Sequence, residues 1–263
     1  MDRVDYDEAA GTYDRRYRDG GPADLAAFVR RRAAEAGDRP VLEVGCGTGR
    51  WLAEAITGVS HAVGLDPSPA MLARARQRAP AARIVRGRAE SLPFARNRFG
   101  AVLCVYVIHH LDDAARFVAE AARVLDDGGT LSVVALAPHD GQDSWYLYDY
   151  FEGMREADCA RYPTTSSIGA WMAAVGLTDV RVEVAGRILA TTEGAAVFDD
   201  PILTRHGTCQ LSLLSDAEFE RGMVRIRRDA ARGKEVTFRT DLRLFATVAR
   251  KDLPTPAALQ TRE

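Results

Sequence analysis

Residues 41–49 have the sequence Val-Leu-Glu-Val-Gly-Cys-Gly-Thr-Gly, in which an apolar run passes into a series of glycines. The run over 41–44 is typical of a buried parallel strand, and residues 50–56 are predicted to form a helix. Glycine lets the backbone turn tightly and approach a ligand, because no Cβ stands in the way. The helix that follows directs its free N–H groups toward the turn. The stretch therefore predicts a strand, a ligand-binding loop and a helix, in that order.

An acidic residue stands at the end of the next predicted strand. This strand covers residues 62–65, and Asp66 follows it, 21 residues after Gly45. In doubly wound nucleotide-binding folds, an acid at this point accepts hydrogen bonds from ribose hydroxyls. A dinucleotide fingerprint would place its third glycine at position 50, which is Arg50 here. The spacing favours a nucleotide other than a dinucleotide; a tight turn without a ligand is the alternative.

Strands and helices alternate through the first half of the chain. Ser68 and Pro69 are good N-terminal residues for a helix over 71–78. Further predicted elements are strands over 83–85, 101–108 and 130–136, a helix over 113–125, a helix over 167–174, a strand over 180–184, a helix over 216–231 and a strand over 242–249. Such alternation with short loops predicts an α/β fold with a doubly wound, mostly parallel sheet. No helix or strand is predicted over residues 186–215.

Size and composition exclude several classes of protein. The 263 residues predict one domain, residues 1–263, and the net charge of −2 without a lysine-rich stripe indicates no nucleic-acid partner. No apolar run has the roughly 18 residues of a membrane span. The acidic N-terminus lacks an apolar signal region, which favours a cytoplasmic location. The four cysteines have neither CxxC spacing nor a neighbouring histidine in the sequence, so no metal site or disulfide framework is predicted.

Five segments, taken in order, carry a family resemblance. They are residues 41–49, residues 64–72 with Gly-Leu-Asp-Pro-Ser and Met-Leu, residues 87–94 with Gly-Arg-Ala-Glu-Ser-Leu-Pro-Phe, residues 105–111, and residues 123–129 with Arg-Val-Leu-Asp-Asp-Gly-Gly. In these segments the chain resembles the class I S-adenosylmethionine-dependent methyltransferases. It is most similar to the small-molecule group that includes the ubiquinone and menaquinone biosynthesis methyltransferases. Together with Tyr13-Asp14, the matches lie within about half of the chain.

The resemblance implies a Rossmann-like sheet of seven strands with an antiparallel last strand and a substrate cap inserted after the fifth. The implied parts are an N-terminal helical or lid segment over 1–37, a cofactor-binding core over 38–137, and cap elements over 138–175 and 186–233. It also implies S-adenosylmethionine as the cofactor and a small-molecule methyl acceptor as the partner.

The same resemblance implies roles for matching residues. The glycine loop would hold the methionine part of the cofactor, and Asp66 would bind the ribose. The implied cofactor-binding residues are Glu43, Gly45, Cys46, Gly47, Asp66, Pro67, Met71, Ala89, Glu90 and Val105. Met71 could equally be an ordinary core residue. Arg88 departs from the family, which commonly has an aspartate there that contacts adenine, because an arginine cannot accept a hydrogen bond. Gly100 is a second departure, since an acidic residue often stands there.

Two histidines end the predicted fourth strand. Side chains alternate along a strand, so one of His109 and His110 is expected to face the cleft. His110 is the candidate base because imidazole titrates near neutral pH, with a structural role at the strand end as the alternative. Tyr13 is the second catalytic candidate, as a residue closing over the cofactor. Tyr17 and His109 are candidate substrate contacts.

An aromatic run after the fifth strand includes Trp145 and Tyr148, which are further candidate substrate contacts. Packing of the cap on the core is the alternative for both. A pocket of this kind would suit an aromatic or lipophilic acceptor. The function predicted is methyl transfer from S-adenosylmethionine to an O, N or C nucleophile of a small metabolite. The alternatives are a non-catalytic binding module of the same fold and an NAD-dependent oxidoreductase.

Overall fold

A mixed β-sheet with helices packed against it forms the centre of the protein, as seen in a computed structural model that describes residues 6–17 and 21–253. The eight strands of this described part are β1 (Val41–Val44), β2 (Ala62–Asp66), β3 (Arg83–Arg86), β4 (Phe99–Val105), β5 (Leu125–Ala135), β6 (Ser144–Trp145), β7 (Leu177–Glu193) and β8 (Thr237–Lys251). The α-helices are α1 (Tyr6–Ala9), α2 (Ala23–Ala34), α3 (Arg50–Ala55), α4 (Pro69–Arg78), α5 (Ala114–Val124), α6 (Tyr146–Tyr150), α7 (Met154–Arg161), α8 (Thr165–Ala174), α9 (Cys209–Ser212) and α10 (Asp216–Ala230). Short 3₁₀ turns cover Tyr13–Tyr17, Ile56–Gly58, Ile108–His110, Pro138–Asp140, Gly194–Asp199 and Gly233–Glu235.

The strand order is β3-β2-β1-β4-β5-β8-β6, with β7 paired to the other edge of β8. Strands β1 to β5 run parallel, and β8 is antiparallel to both β5 and β7. The predicted doubly wound sheet with an antiparallel last strand is therefore confirmed. The additional strand is β6, two residues long, which pairs with the start of β8.

Local sequence explains the inner strands and several helix starts. Every residue of β1 and β4 is buried, as expected for strands covered on both faces. Ser68 caps α4 by accepting from the Met71 amide, with Pro69 in the first turn. Ser215 and Glu218 form a reciprocal capping box at the start of α10.

Two strands extend beyond their predicted limits. β5 begins at Leu125, five residues before the predicted strand over 130–136. β7 covers 17 residues, more than three times the predicted strand over 180–184, because it pairs with nearly the whole length of β8. Residues 186–193, predicted to be cap, therefore belong to the sheet.

The unusual glycine in β4 is explained by close packing. A Cβ at Gly100 would lie 2.9 Å from the Ala36 carbonyl oxygen and 2.8 Å from Cβ of Arg39. These residues follow α2, which contacts β4. An acidic side chain could not fit there. Separately, none of the helices within the described residues has the length and apolar composition needed to cross a bilayer.

Candidate active site

A large cavity lies at the carboxyl ends of β1, β2 and β4, where the strand order reverses. Its volume of about 820 Å³ is toward the upper end of the roughly 300–1,000 Å³ of small-molecule sites. Open α/β sheets bind ligands at this reversal. The N-terminal segment, the glycine loop, the turns after β2, β3 and β4, and the residues Ala160, Arg161 and Leu213 line the cavity.

The glycine loop is fixed by the neighbouring strand. The Gly45 and Cys46 amides donate to the Leu65 carbonyl oxygen at 2.7 and 3.0 Å. Gly45 has a φ of 73°, and a Cβ there would overlap the methyl groups of Val107. Glycine therefore allows the loop to approach the turn after β4, and the resulting cradle is open on the cavity side.

Asp66 holds the loop from the adjacent strand end. Its Oδ2 accepts from the Gly47 amide at 2.9 Å, and its Oδ1 accepts from the Ser68 amide at 2.9 Å. Burial raises the pKa of Asp66, and the two amide donors partly offset this effect. Each carboxylate oxygen has a further lone pair. Asp66 can therefore also accept from ligand hydroxyls, as the ribose of the implied cofactor requires.

Glu43 lies beneath the loop and is not part of the cavity lining. Its Oε2 is buried and has no hydrogen-bond partner among the described residues. Burial, followed by the charge of Asp66, raises the pKa of Glu43 well above its usual range. An unsatisfied buried carboxyl below the loop fits the implied ammonium group of the cofactor, reached directly or through water.

The N-terminal segment is tied to the same loop by two carboxylates. Asp14 accepts from the Thr48 hydroxyl at 2.7 Å and from Arg78 at 2.9 Å. Asp7 accepts from the Ser68 hydroxyl at 2.5 Å. These contacts place Tyr6, Tyr13 and Tyr17 in the cavity lining.

Arg88 stands at the far end of the cavity among carboxylates. Its guanidinium donates to Asp112 at 2.8 Å and lies 3.5 Å from Glu90. Glu90 in turn accepts from the Asp112 amide at 3.1 Å. Arg88 stands where the family commonly has an aspartate. It holds two carboxylates, those of Glu90 and Asp112, near the place where the resemblance implies that adenine binds. Met71 and Ala89 lie in the same lining.

His109 and His110 differ from the expectation of alternating side chains. The fourth strand ends at Val105, Tyr106 has a φ of 60°, and a 3₁₀ turn over Ile108–His110 follows. Both histidines therefore line the cavity, with ring centroids 3.9 Å apart. His110 Nε2 is 2.7 Å from the Tyr6 hydroxyl. Burial, followed by the charges of Arg161 and Arg16, lowers the pKa of His110 to about 3.

Helices α6, α7 and α9 contribute a buried polar network around Asp158. Arg161 donates to Asp158 Oδ1 at 2.5 Å, while Tyr148 and the Gln210 amide donate to Oδ2 at 2.7 and 3.0 Å. Asp158 is fully buried, whereas Arg161 reaches the cavity. Residues 186–215, for which no helix or strand was predicted, thus supply Gln210 to the network.

Cys209 lies beside the histidine pair. Its sulfur is 3.8 Å from His109 Nε2. The side-chain atoms of His109, His110 and Cys209 that could bind a metal ion all lie within 4.8 Å of one another. Arg161 is 3.9 Å from the same sulfur, which disfavours a second cation here. The sequence spacing could not indicate this cluster, because 100 residues separate Cys209 from His109.

Most of the predicted site residues meet in this cavity. The predicted residues that line it are Gly45, Cys46, Gly47, Asp66, Pro67, Met71, Ala89, Glu90, Val105, Tyr13, Tyr17, His109 and His110. Trp145 and Tyr148 do not: Trp145 is buried in β6, with its ring 5.2 Å from that of Tyr148. Tyr148 instead orients Asp158. Tyr6, Asp7, Arg161 and Leu213 line the cavity without having been predicted.

Comparisons with known proteins agree with this geometry. Residues 42–133 match the family described as "Methyltransferase domain". The uncharacterized methyltransferase sll0829 of Synechocystis is 31% identical over 143 residues, covering 54% of this chain and 68% of that protein. The phthiotriol/phenolphthiotriol dimycocerosates methyltransferase of Mycobacterium leprae is 37% identical over 110 residues, 40% of each chain. This chain thus spans less than half the length of the mycobacterial relative.

A solved structure shares the fold. The YcgJ protein of Bacillus subtilis superposes with a TM-score of 0.57 at 21% identity, covering 88% of this chain and 99% of that one. The identity to sll0829 over two thirds of its length, together with the domain match, establishes the family. The chain belongs to the class I S-adenosylmethionine-dependent methyltransferases.

Proposed function

We propose that this protein transfers a methyl group from S-adenosylmethionine to a small-molecule acceptor. The acceptor would bind at the end of the cavity lined by Ala160, Arg161 and Leu213, which we call the cap end. One observation carries the proposal. A single cavity joins the nucleotide-type site at Gly45 and Asp66 to the polar pocket at His110 and Arg161. Two ligands can therefore meet without crossing bulk water, and a reaction between them needs mainly alignment and exclusion of water.

The residues fit the cofactor of this family. The glycine loop and Asp66 would bind its methionine and ribose parts, with Glu43 beneath the loop. Glu90 and Asp112 offer acceptors at the opposite end. When bound, S-adenosylmethionine supplies a methyl group activated by its positively charged sulfur.

The acceptor pocket combines apolar and polar residues. Tyr6, Leu111 and Leu213 offer surface for an aromatic or lipophilic metabolite. The mycobacterial relative is named for a lipid substrate, phthiotriol or phenolphthiotriol dimycocerosates. This name is compatible with an apolar acceptor portion here. Tyr13 and Tyr17 cover the cavity from the N-terminal segment and would exclude water.

His110 is proposed as the proton acceptor for an acceptor O–H or N–H group. Its ring is neutral because of the lowered pKa, and its Nε2 is paired with the Tyr6 hydroxyl. Burial raises the pKa of Tyr6, so this hydroxyl keeps its proton. A proton from the methyl acceptor would pass to the Tyr6 oxygen while the Tyr6 proton moves to His110 Nε2.

The neutral state of His110 predicts a pH effect on stability. When the chain unfolds, His110 regains its ordinary pKa, so below about pH 6.5 the unfolded state binds the additional proton. Stability is therefore lost as pH falls, by up to about 1.4 kcal/mol per pH unit for one histidine. Urea denaturation of the wild type and of His110→Phe at about pH 7 and about pH 5 measures this loss as a difference.

The pH dependence of the wild type is compared with that of His110→Phe because Glu43 also contributes to it. The raised pKa of Glu43 makes the folded state more stable as pH falls, which opposes the effect of His110. Replacement of the exposed His61 by Phe serves as the matched control for the loss of one imidazole ring. If His110→Phe showed the same pH dependence as the wild type, His110 would not be held neutral, and its role as the base would be contradicted.

Ligand binding tests the proposed function itself. Purified protein is heated with S-adenosylhomocysteine, S-adenosylmethionine or NAD in parallel. A ligand at about 100 times its dissociation constant adds about 2.7 kcal/mol, which raises the melting temperature by several degrees. We expect stabilisation by the two sulfur compounds and not by NAD. Stabilisation by NAD alone would replace methyl transfer with hydride transfer, and no effect of any ligand would favour a non-catalytic module.

A further inference from the structure

The cap end of the cavity contains two buried N–H donors without acceptors. Arg161 Nε is buried and has no hydrogen-bond partner among the described residues, and the same is true of His109 Nδ1. Both residues line the cavity, while the two nitrogen atoms themselves have almost no accessible surface, so an acceptor reaches them only if the neighbouring side chains shift. Buried polar groups in proteins are nearly always hydrogen-bonded, so unpaired donors at a binding site indicate a missing acceptor.

The hydrogen-bond partners around His109 favour a proton on its Nδ1. Gln210 must turn its amide nitrogen toward the Asp158 carboxylate, 3.0 Å away, and the same nitrogen lies 3.5 Å from the Tyr162 hydroxyl. The Tyr162 hydroxyl therefore accepts from Gln210 and donates to His109 Nε2 at 3.1 Å. Because His109 is neutral, its ring proton is on Nδ1.

Arg161 is held in place by a carboxylate that cannot reach the ligand. Asp158 is fully buried and also accepts from Tyr148 and Gln210, so it fixes the guanidinium rather than competing for the cavity. Arg161 keeps 10% of its side chain exposed. The arginine is thus oriented before any ligand arrives, which lowers the entropy lost on binding.

The two ends of the cavity differ in their charged residues. Asp7, Asp66, Glu90 and Asp112 line the cofactor end together with Arg50 and Arg88, whereas Arg161 and the neutral histidines line the cap end. Arg16, which packs on the Tyr13 ring at 4.0 Å, adds a second positive charge near the histidines. Asp158 balances the charge of Arg161, so Arg16 leaves this end with an excess positive charge, which a negatively charged group would complement.

We propose that the methyl acceptor carries an anionic oxygen, either a carboxylate or an ionised phenol or enol, which binds Arg161 and His109 at the cap end of the cavity. This inference rests on the proposed function. The anionic oxygen supplies the acceptor that the two unpaired donors lack. It also places the rest of the acceptor beside His110 and Tyr6.

Two pairs of probes test the charge preference in the presence of saturating S-adenosylhomocysteine. Each pair consists of an anion and a neutral molecule of similar shape: benzoate with benzamide, and para-nitrophenolate with para-nitroanisole. Calorimetry on the wild type should show at least one anion binding about tenfold or more tightly than its neutral counterpart, as expected for a charge-assisted hydrogen bond. The pair that discriminates identifies which anionic oxygen the site prefers.

Arg161→Gln should abolish the preference while S-adenosylhomocysteine binding is retained. Arg227→Gln is the matched control, because Arg227 lies on α10, pairs with Glu220 and is not part of the cavity lining. Should Arg161→Gln fail to fold, the wild-type comparison still decides. If both anions bind no better than their neutral partners, or not at all, the inference is overturned. Failure of S-adenosylhomocysteine to bind would instead remove the proposed function.

Discussion

Replacement of Asp66 by Ala is expected to weaken S-adenosylhomocysteine binding by at least about 100-fold. The carboxylate holds the Gly47 and Ser68 amides and, in the proposed complex, accepts from the ribose hydroxyls. Hydrogen bonds to a charged group contribute about 1.5–3 kcal/mol each, and about 1.4 kcal/mol corresponds to a tenfold change in affinity. Isothermal titration calorimetry of the wild type and the variant measures the loss.

Two further variants separate the possible causes. Asp38→Ala removes an exposed aspartate and should bind with wild-type affinity. Asp66→Asn keeps the size of the side chain and one carbonyl oxygen, so it should lose less affinity than Asp66→Ala. Unchanged affinity in Asp66→Ala would mean that the ribose is bound elsewhere.

Replacement of Gly45 by Ala is expected to destabilise the fold by about 2–5 kcal/mol. A left-handed backbone costs a non-glycine residue about 1–2 kcal/mol, and forced overpacking against Val107 costs about 1–3 kcal/mol more. Cofactor binding should be lost as well, since the loop would be displaced. Urea denaturation measures the free energy of unfolding.

A matched glycine and a second-site change complete this test. A Cβ at Gly58 would meet no atom within 4 Å, so Gly58→Ala should change stability by less than about 0.5 kcal/mol. Adding Val107→Ala to Gly45→Ala should recover part of the stability, because it removes the two methyl groups that the new Cβ would overlap. A Gly45→Ala protein as stable as the wild type would show that the loop does not require close approach to Val107.

The first half of the fold could be predicted because its signals are local. The buried run over 41–44, the glycines after it, and the Ser68-Pro69 helix start each act within a few residues. The second half lacked such signals. β7 is largely exposed, with charged residues such as Arg181 among its apolar ones, and it exists because β8 pairs along it. Tertiary pairing of this kind leaves little periodic pattern in the sequence.

The cofactor end of the site was predictable for the same reason, and the cap end was not. The hydrogen bond between Asp158 and Gln210 joins residues that are 52 positions apart, so no local sequence pattern could predict it. The histidine pair was misjudged because Tyr106 adopts a positive φ without being glycine. The sequence therefore did not mark the place where the strand ends and the 3₁₀ turn begins.

The excess of carboxylates at the cofactor end has a consequence for the exchange of spent cofactor in the proposed reaction. The sulfur of S-adenosylmethionine is positively charged, and it becomes neutral once the methyl group has left. At this end four carboxylates outnumber the guanidinium groups of Arg50 and Arg88, so the charged compound would gain a Coulomb attraction that the neutral product lacks. Incoming cofactor would therefore have an advantage over the outgoing product.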